Sequence, residues 1–600
     1  MQQAFQWYVH SCLTHMSGAA RLGWTAPDMP YRHTKRETCV KRNLRPTRLL
    51  AALLALGLIA AACSSSSTTA TTATTQVNVP QGGSLVIGAE QEPDCLDWIA
   101  TCGASSWGYW MANVTTMPRA YDPVKDGDQY GYVPGVLLTG EADLKTDPTQ
   151  VVTYHINPKA VWSDGQPITS ADFKYTWEQI ATGTDIYDKT GYSDISAVDA
   201  TDPATAVVTF STPFASWKSL FGGGYGVLPS HILSAVPDRD AAMKDGYKWS
   251  GGPYLIDSWN KTESITLVPN PKWYGPTQSH LDKVIFKFVA DTSAEFQAFK
   301  GGEVKMIYPQ PQLDVVDQIN AGLADTNSTF NAETGSYEAI WMNNAAAPVD
   351  DVKVRQAIGY SIDRDAIVNK LFGQLGVTTA LQVMNAPIVN AYSDTQAFAG
   401  YKPDLAKVDE LLTSDGYAKG SDGIYAKGGK PLTITVTSTA GNKRRELTEQ
   451  VMQQQLKDAG IGMTIANQKA GDFFGQVLPA GTYMVGIYAQ QLTSIDPGRC
   501  GQMCSKNIPT DANGSTGNNV SRINVPELDP LLAAVDNTLD NQVRTDKNKQ
   551  ADGVTADQLV SLPLDPLPDI VLWNKSVVGP VGDNAVLGPW WNLQDWGVTP

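Results

Sequence analysis

Two close pairs of cysteines, Cys95 with Cys102 and Cys500 with Cys504, are the most reactive side chains in the body of this 600-residue chain. Thiols so placed cross-link in an oxidising compartment or ligate a metal. Their spacing favours two local bridges, although four cysteines allow three connectivities. A metal centre would need more ligands than stand nearby. Beyond residue 62 the only histidines are His155, His231 and His280, and no two are three to five positions apart. Nucleophilic catalysis has no support either, since neither a G-x-S-x-G elbow nor an HExxH pair is present. The loop FGGGYG at Phe221 lacks the Lys-Ser/Thr of a phosphate cradle. The run Asp511-Ala512-Asn513-Gly514-Ser515 begins like a calcium loop, but Arg522 stands where the bidentate acid belongs. The chemistry left is recognition, so neither enzymatic activity nor a cofactor is expected.

Charge narrows the partners. The first 62 residues hold eight basic and two acidic groups, whereas residues 63–600 hold 37 against 59, a net −22. An acidic body has no positive face for phosphates, so nucleic acid is excluded as a partner. Charged residues at 18% and hydrophobic ones at 42% describe a core-forming chain.

The basic groups Lys41, Arg42, Arg45 and Arg48 precede an uninterrupted apolar run, Leu49 to Ala62. At 14 residues this run is too short to cross a bilayer about 30 Å thick. Positive charge, short apolar segment and small residues describe an export signal. Ala60, Ala61 and Ala62 run into Cys63, which resembles the lipobox of bacterial lipoproteins and implies cleavage before an acylated Cys63. Residues 1–39 fit no part of that signal and are expected to be a gene-model extension, with the true start at Val40. After Cys63, SSSSTTATTATT has no apolar content and reads as a flexible tether.

Ordered elements must position whatever the body binds. SLVIGA from Ser84 reads as a strand, and Val151–Ile156 alternates as a half-buried strand does. Ser163-Asp164-Gly165 reads as a tight turn. Thr169 and Asp172 cap a helix carrying Phe173, Trp177 and Ile180 on one face. Strands follow at Ile265, Leu281, LTITVTST and IGMTIA, a helix and strand lie in SAEFQAFKGGEVKMIY, and one long helix is expected over Val352 to Phe372. Without internal repeats, this is mixed α/β with at least two lobes. Among the 16 tryptophans, Trp162, Trp177, Trp590 and Trp591 are assigned to packing.

The order of several segments is similar to the large extracytoplasmic solute-binding proteins of ABC importers, the oligopeptide/dipeptide/nickel-binding family 5. The segments are GGSLVIGAEQEPDCLD, WSDGQPITSADFKYTW, NPKWYGP, DDVKVRQAIGYSIDRDAIV, KGGKPLTITVTST, QQLKDAGIGMTIA and GNNVSRINVPELDPLL. Asp164, Asp172, Asp351 and Arg355 sit in these motifs and are read as turn, cap and surface residues of the scaffold. The resemblance implies a two-lobed, periplasmic-binding-protein-like α/β fold of the large, peptide-binding type, with an extra subdomain and hinge closure on the ligand. Its expected boundaries are signal peptide 40–62, acylated cysteine and tether 63–82, lobe I at 83–118, 250–334 and 576–600, extra subdomain 119–249, and lobe II 335–575. It also implies a monomer, anchored by lipid to the outer face of the cytoplasmic membrane, that passes peptides or peptide-like solutes to permease and ATPase subunits. The alternatives are a non-transport regulatory or structural lipoprotein of the same fold, or a binder of nickel chelates or oligosaccharides.

In peptide-binding members an Asp three residues before an acidic-Pro pair grips the ligand's α-amine. Here the pair is Asp496-Pro497, so that position falls on Thr493, and the preceding family Trp falls on Gln490, next to Gln491. A neutral hydroxyl cannot make the charge-assisted bond that a buried ammonium needs. Either Asp496 or Asp472, the nearest carboxylates in sequence, replaces it, or the ligand is not an ordinary free-amine peptide. Tyr187 stands where members place a cleft tyrosine, backbone of Gly103 and Ala104 falls on a ligand-facing strand, and Phe473 and Tyr488 supply apolar walls.

Overall fold

The computed structural model describes residues 78–599 apart from 104, 128, 310–312 and 333. The expected extension, signal peptide, Cys63, most of the tether and Ala104 therefore lie outside the described residues.

Two large sheets organise the chain. The first has seven strands, in the order Thr326–Asn331, Asp569–Asn574, Met306–Ile307, Ser84–Ala89, Lys283–Phe288, Ser264–Pro269 and Tyr254–Asn260. Ser84–Ala89 pairs in parallel with Lys283–Phe288, with Leu85 opposite Val284 and Ile87 opposite Phe286. The second has five strands, in the order Gly462–Ile465, Thr433–Thr437, Val485–Gln491, Ser336–Met342 and Ser561–Asp565. All seven residues of Ser336–Met342 are buried, as befits a central strand covered on both faces. A four-stranded antiparallel sheet, Asp143–Lys145, Val151–His155, Thr205–Phe210 and Ile195–Asp199, packs into the core of the first. Val151–His155 alternates in burial, the pattern its sequence carries.

The cores are separate. One gathers residues from Leu85 to Tyr308 and from Val571 to Trp596, and the other runs from Tyr337 to Leu564. The first sheet's strand ends at Asn331 and the second sheet's begins at Ser336, and the chain returns between Asp565 and Asp569. Thr334 ties the crossings together, its Oγ1 donating to Ser336 O and to Pro566 O at 2.8 Å each. Two lobes joined by two short irregular segments are the architecture of a hinge.

The return crossing corrects the expected end of lobe II at 575. Asp569–Asn574 hydrogen-bonds to Thr326–Asn331 and Met306–Ile307, so it belongs to the first sheet. Its apolar run has no period that could assign it to either sheet, but Pro566 and Pro568 mark the break before it. The long helix expected over Val352 to Phe372 is two helices, Val352–Ser361 and Arg364–Phe372, because Asp363 caps the second by accepting from Ala366 N at 2.9 Å. Arg355 is not a surface residue. It is 4% exposed and donates to the carbonyls of Leu559, Val349 and Asp350 at 3.0 Å each, pinning the first of these helices to the chain before Ser561. The capped helix Ser170–Thr182 forms as expected, with Thr169 N donating to Asp172 Oδ2 at 2.8 Å. Trp162 and Trp590 are fully buried.

Candidate functional site

Between the lobes lies a cavity of about 580 Å³, within the roughly 300–1,000 Å³ that encloses small ligands. Gly103, Tyr187, Tyr488, Gln490, Gln491 and Thr493 all line it, although 390 positions separate Gly103 from Thr493. The central strands of the two sheets end here, which is where α/β proteins hold ligands.

The first-lobe wall is braced by Cys95–Cys102, which links positions seven apart in sequence. Gly103 lies in a 3-10 turn, Thr101–Gly103, and not on the ligand-facing strand expected of it. Its N–H donates to Ala100 O at 3.0 Å, so that donor is already engaged. A Cβ at Gly103 would lie 2.3 Å from Asp97 O, so only glycine fits the turn. Tyr187 is held by its own N–H, which donates to Ile99 O at 2.9 Å. Burial raises its phenol above the ordinary tyrosine range, Asp188 adds to this, and Gln490 and Asn518 beside the hydroxyl offset part of it. Behind them Tyr308 meets Trp107 and Trp110 edge-on at 6.0 and 5.5 Å.

The second-lobe wall is built on Val485–Gln491. Tyr488 stacks on Trp341 at 5.1 Å, and Trp341 Nε1 donates to Tyr488 O at 2.8 Å. Phe473 does not line the cavity: it is fully buried between Tyr488 and the core, and its neighbour Phe474 forms the wall. The segment 470–480 is helical, so adjacent residues face different sides and a one-residue error exchanges core for wall. Gln491 already has partners, its Nε2 donating to Ala585 O at 2.5 Å and its Oε1 accepting from Ser336 Oγ. It helps hold the lobes together at the hinge.

Neither carboxylate nominated by sequence proximity stands free at Thr493. Asp496 lies outside the main cavity and accepts from Arg544 at 3.4 Å and Ser494 Oγ at 3.2 Å. Asp472 lines the opposite, exposed rim with Asp94. Burial, then the Asp472 carboxylate, hold Asp94 above the usual range. Asp94 also seats against Gly471 and Gly475 of the other lobe, where added Cβ atoms would lie 2.1 and 2.0 Å from its oxygens. Thr493 packs on the Gly-rich loop across the cleft, with its Cγ2 3.2 Å from where a Cβ of Gly224 would be. Among the carboxylates of the lining, which include Glu90, Glu92, Asp94 and Asp472, the one that also lines the adjoining recess with Thr493 is Asp188. It follows Tyr187 directly, and that adjacency was the signal for it. Cys500–Cys504 closes the second local bridge on the same side. Among the described residues, no group of three or more His, Cys, Asp or Glu is arranged to hold a metal ion.

Residues 135–505 match the profile of the bacterial extracellular solute-binding proteins, family 5, over its middle region. The chain belongs to this family. As a family 5 protein it is a binding protein by descent, and among its described residues no helix is long and apolar enough to cross a membrane. The oligopeptide-binding protein OppA of Mycobacterium tuberculosis is 27% identical over 440 residues, covering 71% of this chain and 69% of the relative. The periplasmic OppA of Salmonella typhimurium is 24% identical over 440 residues, covering 67% of this chain and 74% of its own. In fold, the family 5 chain is similar to the oligopeptide-binding protein AppA of Bacillus subtilis solved with a nonapeptide, with TM-score 0.75 and 19% identity over 87% of this chain and all of AppA. It is equally similar to a periplasmic EDTA-binding protein, EppA, with TM-score 0.74 and 23% identity over 87% and 97% of the two chains.

Proposed function

We propose that this family 5 protein captures short peptides or peptide-like solutes between its lobes and delivers them to an ABC permease, tethered outside the membrane through an acylated Cys63. The observation that carries the reading is the cavity of about 580 Å³ closed between two separate cores. Oligopeptide-binding names among its relatives supply the substrate class. Enclosure between rigid lobes excludes water and strengthens each polar contact, and hinge closure reports cargo to a membrane partner. Gly103, Tyr187, Tyr488, Gln490 and Thr493 are the proposed wall residues, with Phe474 in place of Phe473. The lobes follow the two sheets, with 119–249 as a subdomain on the first.

Native mass spectrometry of the protein from an oxidising compartment, before and after mild unfolding, tests this. A mixed set of co-purified peptides is the expected result. One defined non-peptide mass would replace the substrate class, and an empty protein that ignores peptide libraries would favour a regulatory lipoprotein.

A further inference from the structure

A smaller recess of about 110 Å³ adjoins the cleft. It shares Thr493, Asp188 and Gln490 with the main cavity, so the two are direct neighbours. Three carboxyls line it: Asp188 from the first-lobe side, and Asp496 and Asp536 from the second. Of the cations near them, Arg499 is engaged elsewhere, Arg544 pairs with Asp496 and favours the charged form of Asp536, and Lys506 favours that of both Asp188 and Asp536. Arg499 pairs with Asp552 at 2.6 Å. Arg544 contacts Asp496 at 3.4 Å and donates to Val535 O and Ser216 Oγ at 3.0 and 3.1 Å.

Asp536 carries the argument furthest. It is 4% exposed, and its Oδ1 has no hydrogen-bond partner. A buried carboxyl oxygen without a donor is costly, and native proteins retain such groups where something else completes them. Two glycines clear space for the carboxyls. A Cβ at Gly498 would lie 2.3 Å from Asp536 Oδ1, and one at Gly501 2.5 Å from Asp188 Oδ2. Burial and then Asp188 push Asp536 up to about 7, and burial also raises Asp188 against the donors of Thr190. Across this seam Ala215 N donates to Asp536 O at 2.7 Å, so the recess is assembled by both lobes.

We propose that the recess is a subsite for a primary ammonium group of the ligand, held by the Asp188 and Asp536 carboxylates. The charge missing at Thr493 is thus supplied by Asp188 from the opposite lobe and Asp536 from a different element of the same lobe. An ammonium has three donors and no acceptor, which suits a pocket rich in carboxyl oxygens. It also lies between carboxylates that repel one another when the lobes shut, so cargo bearing the cation favours the closed form. The inference rests on the peptide reading above, and the ammonium can come from a free N-terminus or a lysine side chain.

The test passes three random tetrapeptide pools over the ligand-stripped protein, with retained peptides read by mass spectrometry. One pool has free N-termini, one is Nα-acetylated and lysine-free, and one is Nα-acetylated with a fixed lysine. Retention of the acetylated, lysine-free pool should fall at least tenfold below that of a pool bearing ammonium, and Asp188→Asn and Asp536→Asn should each abolish the preference. Which of the other two pools is retained tells the source of the ammonium. Equal retention of all pools, or wild-type preference in both variants, overturns the subsite. Thermal unfolding of the stripped variants checks that they fold, and removal of a repelling charge should leave their midpoints equal or higher. If no peptide is retained, the peptide reading falls and 1,5-diaminopentane decides the recess separately. Stabilisation of wild type that is lost in Asp188→Asn upholds it, and no stabilisation overturns it.

Discussion

Phe473 and Phe474 are neighbours with opposite duties. Phe473 is fully buried, so Phe473→Ala should cost about 3–5 kcal/mol in denaturant unfolding. Phe474 is half-buried on the cavity wall, so Phe474→Ala should cost well under half as much while weakening ligand retention severalfold. The reverse pattern would put Phe473 on the wall after all. Asp536 gives a second residue-level expectation, in pH. Its carboxyl is raised from 3.8 to about 7 by burial, Asp188 and Asp194, against Arg544 and Lys506. The native state therefore binds a proton more tightly than the unfolded chain, and this group's contribution to stability is lost as pH rises from about 4 through 7. Ligand-free protein should lose stability between pH 5 and pH 8, and Asp536→Asn should reduce that loss by roughly 2 kcal/mol. An unchanged loss in denaturant titrations at the two pH values would assign the slope to other groups.

At the scale of elements, the helical segment 470–480 meets Asp94 only when the lobes are together. Gly475→Ala favours a helix by up to about 1 kcal/mol, so thermal stability should hold or rise. The new Cβ, 2.0 Å from an Asp94 oxygen and 3.0 Å from its Cγ, should oppose closure and weaken ligand retention severalfold. Asp94→Ala in the same chain should restore retention, and failure to do so would mean that Gly475 acts by another route. Elements were legible in the sequence to different degrees, for physical reasons. Val151–His155 and the helix capped by Thr169 announce themselves because one face of each is buried and the other wet. Asp569–Asn574 is buried throughout most of its length, so its pattern cannot say which sheet receives it. Motif order brought the cleft within reach, including Tyr187, Tyr488 and Thr493. Asp188 and Asp536 lie 348 positions apart, and only the folded chain brings them to one recess.

For the whole molecule, the order of the chain and the order of the architecture disagree. The strand Asp569–Asn574 sits between Thr326–Asn331 and Met306–Ile307, and the buried Trp590 and Trp596 fill the core begun by Leu85. The second lobe, residues 336–565, is sequence-contiguous and holds its own core. Truncation after residue 565 should therefore spare it and wreck the first lobe. Limited proteolysis of such a chain should leave a protected fragment near 336–565 and digest residues 78–331. Protection of the N-terminal part instead would show that the first sheet stands without its late strand. During synthesis, the lobe that emerges first from the ribosome waits for the last few dozen residues before it can finish. Until then its sheet has a gap between neighbouring strands, an open template for sticking to other chains. Such a protein is exposed to misassembly for as long as its own production lasts, and a chaperone or the export route itself has to cover that interval.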